Sequence, residues 1–223
     1  LDDDEKKDSG TGDGINWLKI ERPSGEYHDY ELRILPPTGE NEVPYYHERL
    51  HYFRVDGKLF VGAAAGNDPA AKLYWKNRDN PTIKDDPALA ATLRNLKPAD
   101  RYYYNVIDRS DNTVKVMALP WGAHSMIKKE LINYLRDDFD ITDPKTGFDI
   151  VLTVEPAIVF GRPSHKYASV SVRPKSKPIG VEGWEEKMTI LEDEVVTTYF
   201  TDDEINEMIP GVLGDFYDLI MNL

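Results

Sequence analysis

Arg101-Tyr102-Tyr103-Tyr104-Asn105-Val106-Ile107 is the stretch on which the reading of this chain turns. A cation opens it, three aromatics come next, and it closes on residues that favour strands. In a strand successive side chains point to opposite faces, so Tyr102 and Tyr104 share one face and Tyr103 takes the other. Two aromatics on one face beside an arginine suit unpaired bases, which stack, and phosphates, which seek a cation. The same rings suit a packed core, because a tyrosine is mostly apolar surface with one polar tip.

On the C-terminal side, Val114–Leu119 reads as a partner strand across Asp108-Arg109-Ser110-Asp111-Asn112. Gly122–Arg136 reads as a helix with Ala123, Ile127, Leu131 and Leu135 on one face. Thr142–Gly147 is a turn-rich loop. Ile150–Val154 and Tyr167–Val172 are the last two strands, and Arg173–Pro178 is a basic, proline-broken exit. On the N-terminal side, Trp17–Ile20 starts the folded body. In Tyr27–Leu35, residues Tyr30, Leu32 and Ile34 alternate with Glu31 and Arg33, a strand that Pro36-Pro37 stops. Tyr45–Val55 is a second strand, turned by Asp56-Gly57 into Lys58–Val61. Residues 63–100 leave the sheet pattern. Pro69–Arg78 and Pro87–Leu96 have helical composition, each opening with a proline suited to a first helical position. Lys72, Lys76, Arg78, Arg94 and Lys97, with Tyr74 and Trp75, fit either one wall of a groove or a helical cap with solvated lysines. The expected fold is mainly β: a small Greek-key barrel of the OB type with an inserted pair of short helices and a helical acidic C-terminal segment.

The net charge of −13 argues against a polyanion ligand until its distribution is read. Residues 1–13 carry a net −4 and residues 181–223 a net −11, whereas 14–180 carry +2. The chain thus falls into three segments: an acidic N-terminal tail at 1–13, a body at 14–180 with its insertion at 63–100, and an acidic amphipathic C-terminal segment at 181–223. In the last, Thr201 and Glu204 form a capping box and Phe200 and Ile205 a hydrophobic staple. Val212, Leu213, Phe216, Tyr217, Ile220 and Leu223 make an apolar stripe that needs a surface to bury against.

The absence of cysteine excludes disulfides, cysteine zinc sites and a cysteine nucleophile, and it fits a reducing compartment. No apolar run approaches a membrane span, and no signal-peptide pattern is visible. There is no P-loop and no G-x-S-x-G, and no spacing of Ser, His and Asp singles out a triad. His47 and His51 on one strand lie ~13 Å apart along it, too far to share a metal. The acids of Asp137–Asp143 lack calcium-loop spacing. Neither enzymatic activity, nor a cofactor, nor a metal is expected.

Residues from about 16 to 178 resemble the single-stranded DNA-binding, helix-destabilising proteins of tailed bacteriophages. Asn16-Trp17-Leu18-Lys19 with Glu31-Leu32-Arg33-Ile34-Leu35-Pro36 is similar to that family's first strand. Tyr45–Val55, with His47, His51 and Phe53, is similar to its second. Arg101–Ile107 is the most diagnostic segment. Val114-Lys115-Val116 and Trp121–Ile127 resemble the family's next strand and helix, and Phe139–Ile150 its turn into a further strand, in the same order. The best-known members carry a zinc module where residues 63–100 stand here without cysteine, so no zinc site is carried across. The resemblance implies sequence-independent binding of single-stranded DNA in phage replication, recombination and repair, in the cytoplasm of an infected bacterium. It also implies an acidic C-terminal segment that modulates binding and recruits phage or host replication and recombination proteins.

Physically, such binding needs stacking rings and phosphate-seeking cations. The stacking candidates are Tyr52, Phe53, Trp75, Tyr102, Tyr104 and Tyr167, and alternation lets only one of Tyr52 and Phe53 face a groove. The phosphate candidates are Arg33, Arg101, Lys115, Lys166 and Arg173. An acidic protein-interaction or DNA-mimic module and an RNA-binding barrel remain open, since stacking and phosphate contacts neither require nor exclude a 2′-hydroxyl. Oligomeric state is not legible in the sequence.

Overall fold

The computed structural model describes residues 14–39, 41–159 and 161–223, so the expected acidic tail at 1–13 lies outside the described residues. Over the described residues the chain is mainly β, with eight strands and several helices. In chain order these are β1 (His28–Ile34), β2 (Tyr46–Val55), β3 (Lys58–Ala64), α1 (Pro69–Asn77), α2 (Pro81–Lys84), α3 (Pro87–Arg94), β4 (Ala99–Asp108) and β5 (Thr113–Leu119). Then come α4 (Trp121–Arg136), β6 (Phe148–Val159), β7 (Arg162–Ser176), α5 (Leu191–Glu194), β8 (Tyr199–Phe200), α6 (Asp202–Leu213) and α7 (Tyr217–Met221). No helix among the described residues is long and apolar enough to cross a membrane. The described residues divide into two compact units, one of residues 14–47 and 101–195, the other of 48–100 and 196–223.

In the first unit the hydrogen-bonded strand path is β7-β6-β1-β4, with β5 on β4. All these pairings are antiparallel, with Leu32 opposite Asp108, Tyr30 opposite Leu152 and Tyr102 opposite Leu119. The path stays open: among the described residues no pairing joins β5 to β7, so the strands do not close into the expected barrel. The free edge of β5 is taken by Asn16–Leu18 instead. Trp17 bridges Val116 in parallel, Leu18 N–H donates to Val116 O at 2.8 Å, and Val116 N–H donates to Asn16 O at 2.9 Å.

Helix α4 covers one face of this sheet. Ala123, Ile127 and Leu131 bury against Leu32, Ile34, Tyr104, Val106, Leu119 and Leu152. Leu135, expected on the same face, is 59% exposed and lines a surface hollow with Pro37, Val43 and Tyr45 instead of joining that core. On the opposite face Leu35, Ile107 and Val114 lie under Ile179, with Val181, Trp184 and Met188 packed around them. Asn105 fixes that cover: its side-chain amide donates to Thr189 O at 2.8 Å and accepts from Thr189 N–H at 3.0 Å. Alternation along β4 therefore sends Tyr102, Tyr104 and Val106 toward α4, and Asn105 and Ile107 toward residues 179–189.

In the second unit β2 and β3 form the hairpin that Asp56-Gly57 signals. Val55 pairs with Lys58, and both turn residues have positive φ, 49° and 79°. Strand β8 adds in parallel to β3. Three short helices stand where two were expected, capped by Asp68, Asn80 and Asp86, each with proline next at the first helical position. The Thr201–Glu204 capping box opens α6, which runs through Pro210 to Leu213. Phe200, Ile205, Ile209, Leu213 and Ile220 bury with Phe53, Leu89 and Leu93 in one core.

Candidate nucleic-acid interface

The diagnostic run builds a stack in the first unit. Tyr102 lies between two imidazoles, His47 at 4.4 Å and 17° and His124 at 3.6 Å and 11°. Two near-parallel rings at those spacings must occupy opposite faces of the phenol. Tyr45 meets His124 edge-on at 4.6 Å, and Trp121 stands 5.8 Å from Tyr102. Tyr104 lies beneath, its hydroxyl 2.7 Å from His124 Nδ1. Burial, joined by Tyr45 and Tyr102, pushes the Tyr104 hydroxyl far above its ordinary pKa. It stays protonated and donates, so Nδ1 accepts and Nε2 carries the imidazole hydrogen. Burial, with smaller effects of Lys128 and His47, lowers the His124 pKa to about 4, so this ring is neutral at physiological pH. The outward members of the cluster are His47, which is exposed, and Trp121, 55% exposed at the first position of α4.

Cations come from β7 and its continuation. From Pro156 to Val181 the chain has no Asp or Glu, yet it carries Arg162, Lys166, Arg173, Lys175 and Lys177. Strand β7 ends the path, so its outer edge has no partner strand among the described residues. Lys166 meets Glu155 at 2.8 Å and Arg173 meets Glu31 at 2.9 Å. Exposed pairs of this kind contribute only ~0–1 kcal/mol and can be exchanged for phosphate. Arg162 and Lys175 are exposed and make no ion pair among the described residues. Tyr167 joins this strand to the diagnostic run. Burial raises the pKa of its hydroxyl, while the charge of half-buried Arg101 acts on it in the opposite sense.

Five expected contacts require correction. Arg33 is fully buried, with Nη1 3.3 Å from Asp149 Oδ1 and Nη2 on Lys177 O. Arg109 clamps the same carboxylate at 2.8 and 3.1 Å, so Arg33 belongs to an internal charge network. Lys115 is held by Asp108 at 2.8 Å and Asp111 at 2.7 Å. Burial works against its charge, but the two carboxylates outweigh it and raise the Lys115 pKa, leaving a neutralised cation. Tyr104 and Phe53 are sealed in their cores and offer no ring face. Tyr102 remains in the cluster, but both its faces are covered, so it supports rather than receives.

Arg101, Lys166, Tyr167 and Arg173 belong to the first unit with the stack. Tyr52 and Trp75 belong to the second. There Tyr52 is exposed while Phe53 is buried, as alternation requires. Trp75 is exposed, with the Arg78 guanidinium 4.7 Å and Lys97 Nζ 5.8 Å from its ring centroid. The outward rings His47 and Trp121 were not among the expected contacts. Their signals were the shared strand face of Tyr45 and His47, and a tryptophan standing off the apolar stripe of α4.

Two hollows in the first unit, of about 570 and 430 Å³, flank Lys115. Lys187 and Glu194 line one, and Lys19, Asp108 and Asp111 the other, so acids offset the cations in both. Among the described residues no three His, Asp or Glu side chains gather to hold a metal ion. No protein-family model matches the chain, and no curated protein matches it.

Proposed function

We propose that this chain binds single-stranded DNA without regard to sequence, as the resemblance to phage helix-destabilising proteins implies. The observation that carries the reading is the acid-free cationic strand β7, which passes Tyr167 and the charge of Arg101 in a chain of net charge −13. A cationic, acid-free strand in so acidic a chain suits a polyanion ligand. Phosphates lie along Arg162, Lys166, Arg173 and Lys175. Bases stack on the outward rings of His47 and Trp121, and Tyr102 and neutral His124 hold the His47 ring in place. Flat rings accept every base, which is why the binding is indifferent to sequence. A partly open barrel of the OB type, service in phage replication, recombination and repair, and recruitment of other replication proteins through 181–223 belong to the same reading.

The test is a fluorescence titration of dT and rU oligonucleotides and a duplex at two salt concentrations. Expected are salt-sensitive dT binding and weak duplex binding. His47→Ala and Trp121→Ala should each weaken dT binding by about 1–3 kcal/mol. Arg162→Ala and Lys175→Ala should each flatten the salt dependence by roughly 0.7 in log–log slope. No dT binding at low salt overturns the proposal, and a clear preference for rU moves it to RNA.

A further inference from the structure

The β6–β7 hairpin extends past the end of the sheet. The last partner of β6 on β1 is His28, opposite Val154. Beyond it, Glu155 to Val159 pair only with Lys166 to Arg162. Five such rungs reach roughly 16 Å at ~3.3 Å per residue. Val159 opposite Arg162 leaves a two-residue connection, in which Gly161 takes φ +75°, a left-handed conformation that glycine adopts at no steric cost.

The two faces of this arm differ. Ile158, Pro156, Pro163 and His165 share a face with Val154 and Tyr167, and the His165 and Tyr167 rings lie edge-on at 5.3 Å. Arg162 and Lys166 lie on the other face. Ile158 is 76% exposed, the most exposed large apolar side chain among the described residues. An apolar ledge thus runs from Tyr167 to the tip, backed by Arg162 and by Lys166, which pairs with Glu155.

Resting on the single-strand reading above, we propose that this tip is a wedge: Ile158 enters between neighbouring bases where paired DNA meets unpaired DNA. Arg162 and Lys166 take the adjoining phosphates, and the freed strand passes along the ledge to Tyr167. Isoleucine is one of the side chains that unstack a base step in this manner, and unstacking costs a few kcal/mol that phosphate contacts offset. Strand β7 of the arm carries no acid, Arg162 makes no ion pair among the described residues, and the exposed Lys166–Glu155 pair can be exchanged for phosphate, which favours nucleic acid as the occupant over an apolar protein surface.

The experiment uses the whole chain with a forked duplex carrying a fluorophore and quencher at the junction, and a dT oligonucleotide. Ile158→Ser and Ile158→Leu are compared with the parent, and sedimentation reports association. Because Ile158 is exposed, Ile158→Ser should keep dT affinity within about twofold. It should open the fork about fivefold less, while Ile158→Leu opens it normally. Fork opening by Ile158→Ser equal to the parent overturns the wedge. So does a parallel loss of dT affinity, which makes the tip an ordinary contact, and so does a loss of self-association, which makes it a contact between copies. A parent that binds dT yet opens no fork overturns the wedge alone, whereas a parent that binds no dT overturns the underlying reading too.

Discussion

Removal of the Asp149 carboxylate should be among the most damaging single changes to this protein. Arg33 has no solvent exposure, and Asp149 is its opposite charge at 3.3 Å. Burial lowers the Arg33 pKa, Asp149 opposes that, and Arg109 adds to it. Asp149→Ala leaves a buried guanidinium facing a second guanidinium with no carboxylate between them. Breaking a buried pair from one side costs about 3–5 kcal/mol. Arg33→Met removes the buried charge itself. Asp149 then keeps Arg109 at 2.8 Å and Lys177 at 3.6 Å, so the loss should stay within about 1 kcal/mol. Adding Arg33→Met to Asp149→Ala should recover part of the loss, a coupling that a double-mutant cycle reads directly. The assay is urea unfolding followed by tryptophan fluorescence, with dT affinity measured at several salt concentrations. Arg33→Met should leave the salt slope unchanged, whereas loss of a phosphate contact would lower it by about 0.7. An Asp149→Ala protein as stable as the parent, or an Arg33→Met protein with a flattened slope, refutes the internal role given to Arg33.

Acid should weaken the fold through His124. Above the unfolded pKa of about 6.5 the ring is neutral in both states. As pH falls from there toward the folded value of about 4, the unfolded chain takes up a proton that the folded one refuses, so stability drops, by up to about 3 kcal/mol, and levels off below. His124→Asn, which can still accept from Tyr104, should remove that part of the pH dependence in urea titrations between pH 7 and 4. Asn105→Ala leaves Thr189 N–H and O without their partner and should cost about 1–3 kcal/mol by thermal or urea unfolding. Thr201→Ala should cost about 1 kcal/mol, and adding Glu204→Ala should cost less than the two separate losses together, since the capping box is one reciprocal unit.

The strands were legible where alternation and turn chemistry agree. Asp56-Gly57 announced its hairpin, and Thr201 with Glu204 announced the start of α6. Period-two alternation also showed that Tyr102 and Tyr104 share a face, but not that this face meets α4, because the helix that covers it is a separate element. The fate of Arg33 was illegible for a related reason: its carboxylate lies 116 residues away. The β6–β7 arm lies beyond the expected strands, which stopped at Val154 and resumed at Tyr167, although Pro156 and Pro163 stand inside it. In the arm each strand has only one neighbour, so a missing N–H on the outer side leaves no ladder bond unmade. The strands do not close into a barrel, and the edge of β5 is taken by Asn16–Leu18, a stretch the sequence placed with the first strand.

The acidic end of this chain is woven in rather than hung on. Residues 181–195 carry a net −5 and lie in the first unit, and 196–223 carry −6 and lie in the second, each with side chains sunk into a core. Charge of this kind cannot swing away and return. It is a standing repulsion that any anionic strand meets on every approach, screened by salt and not lifted by a hinge. Deleting 181–223 would strip Val181, Trp184 and Met188 from around Leu35, Ile107 and Val114 along with the carboxylates, and would confuse an electrostatic effect with a loosened sheet. Replacing surface acids such as Glu185, Glu186 and Asp203 with glutamine or asparagine separates the two.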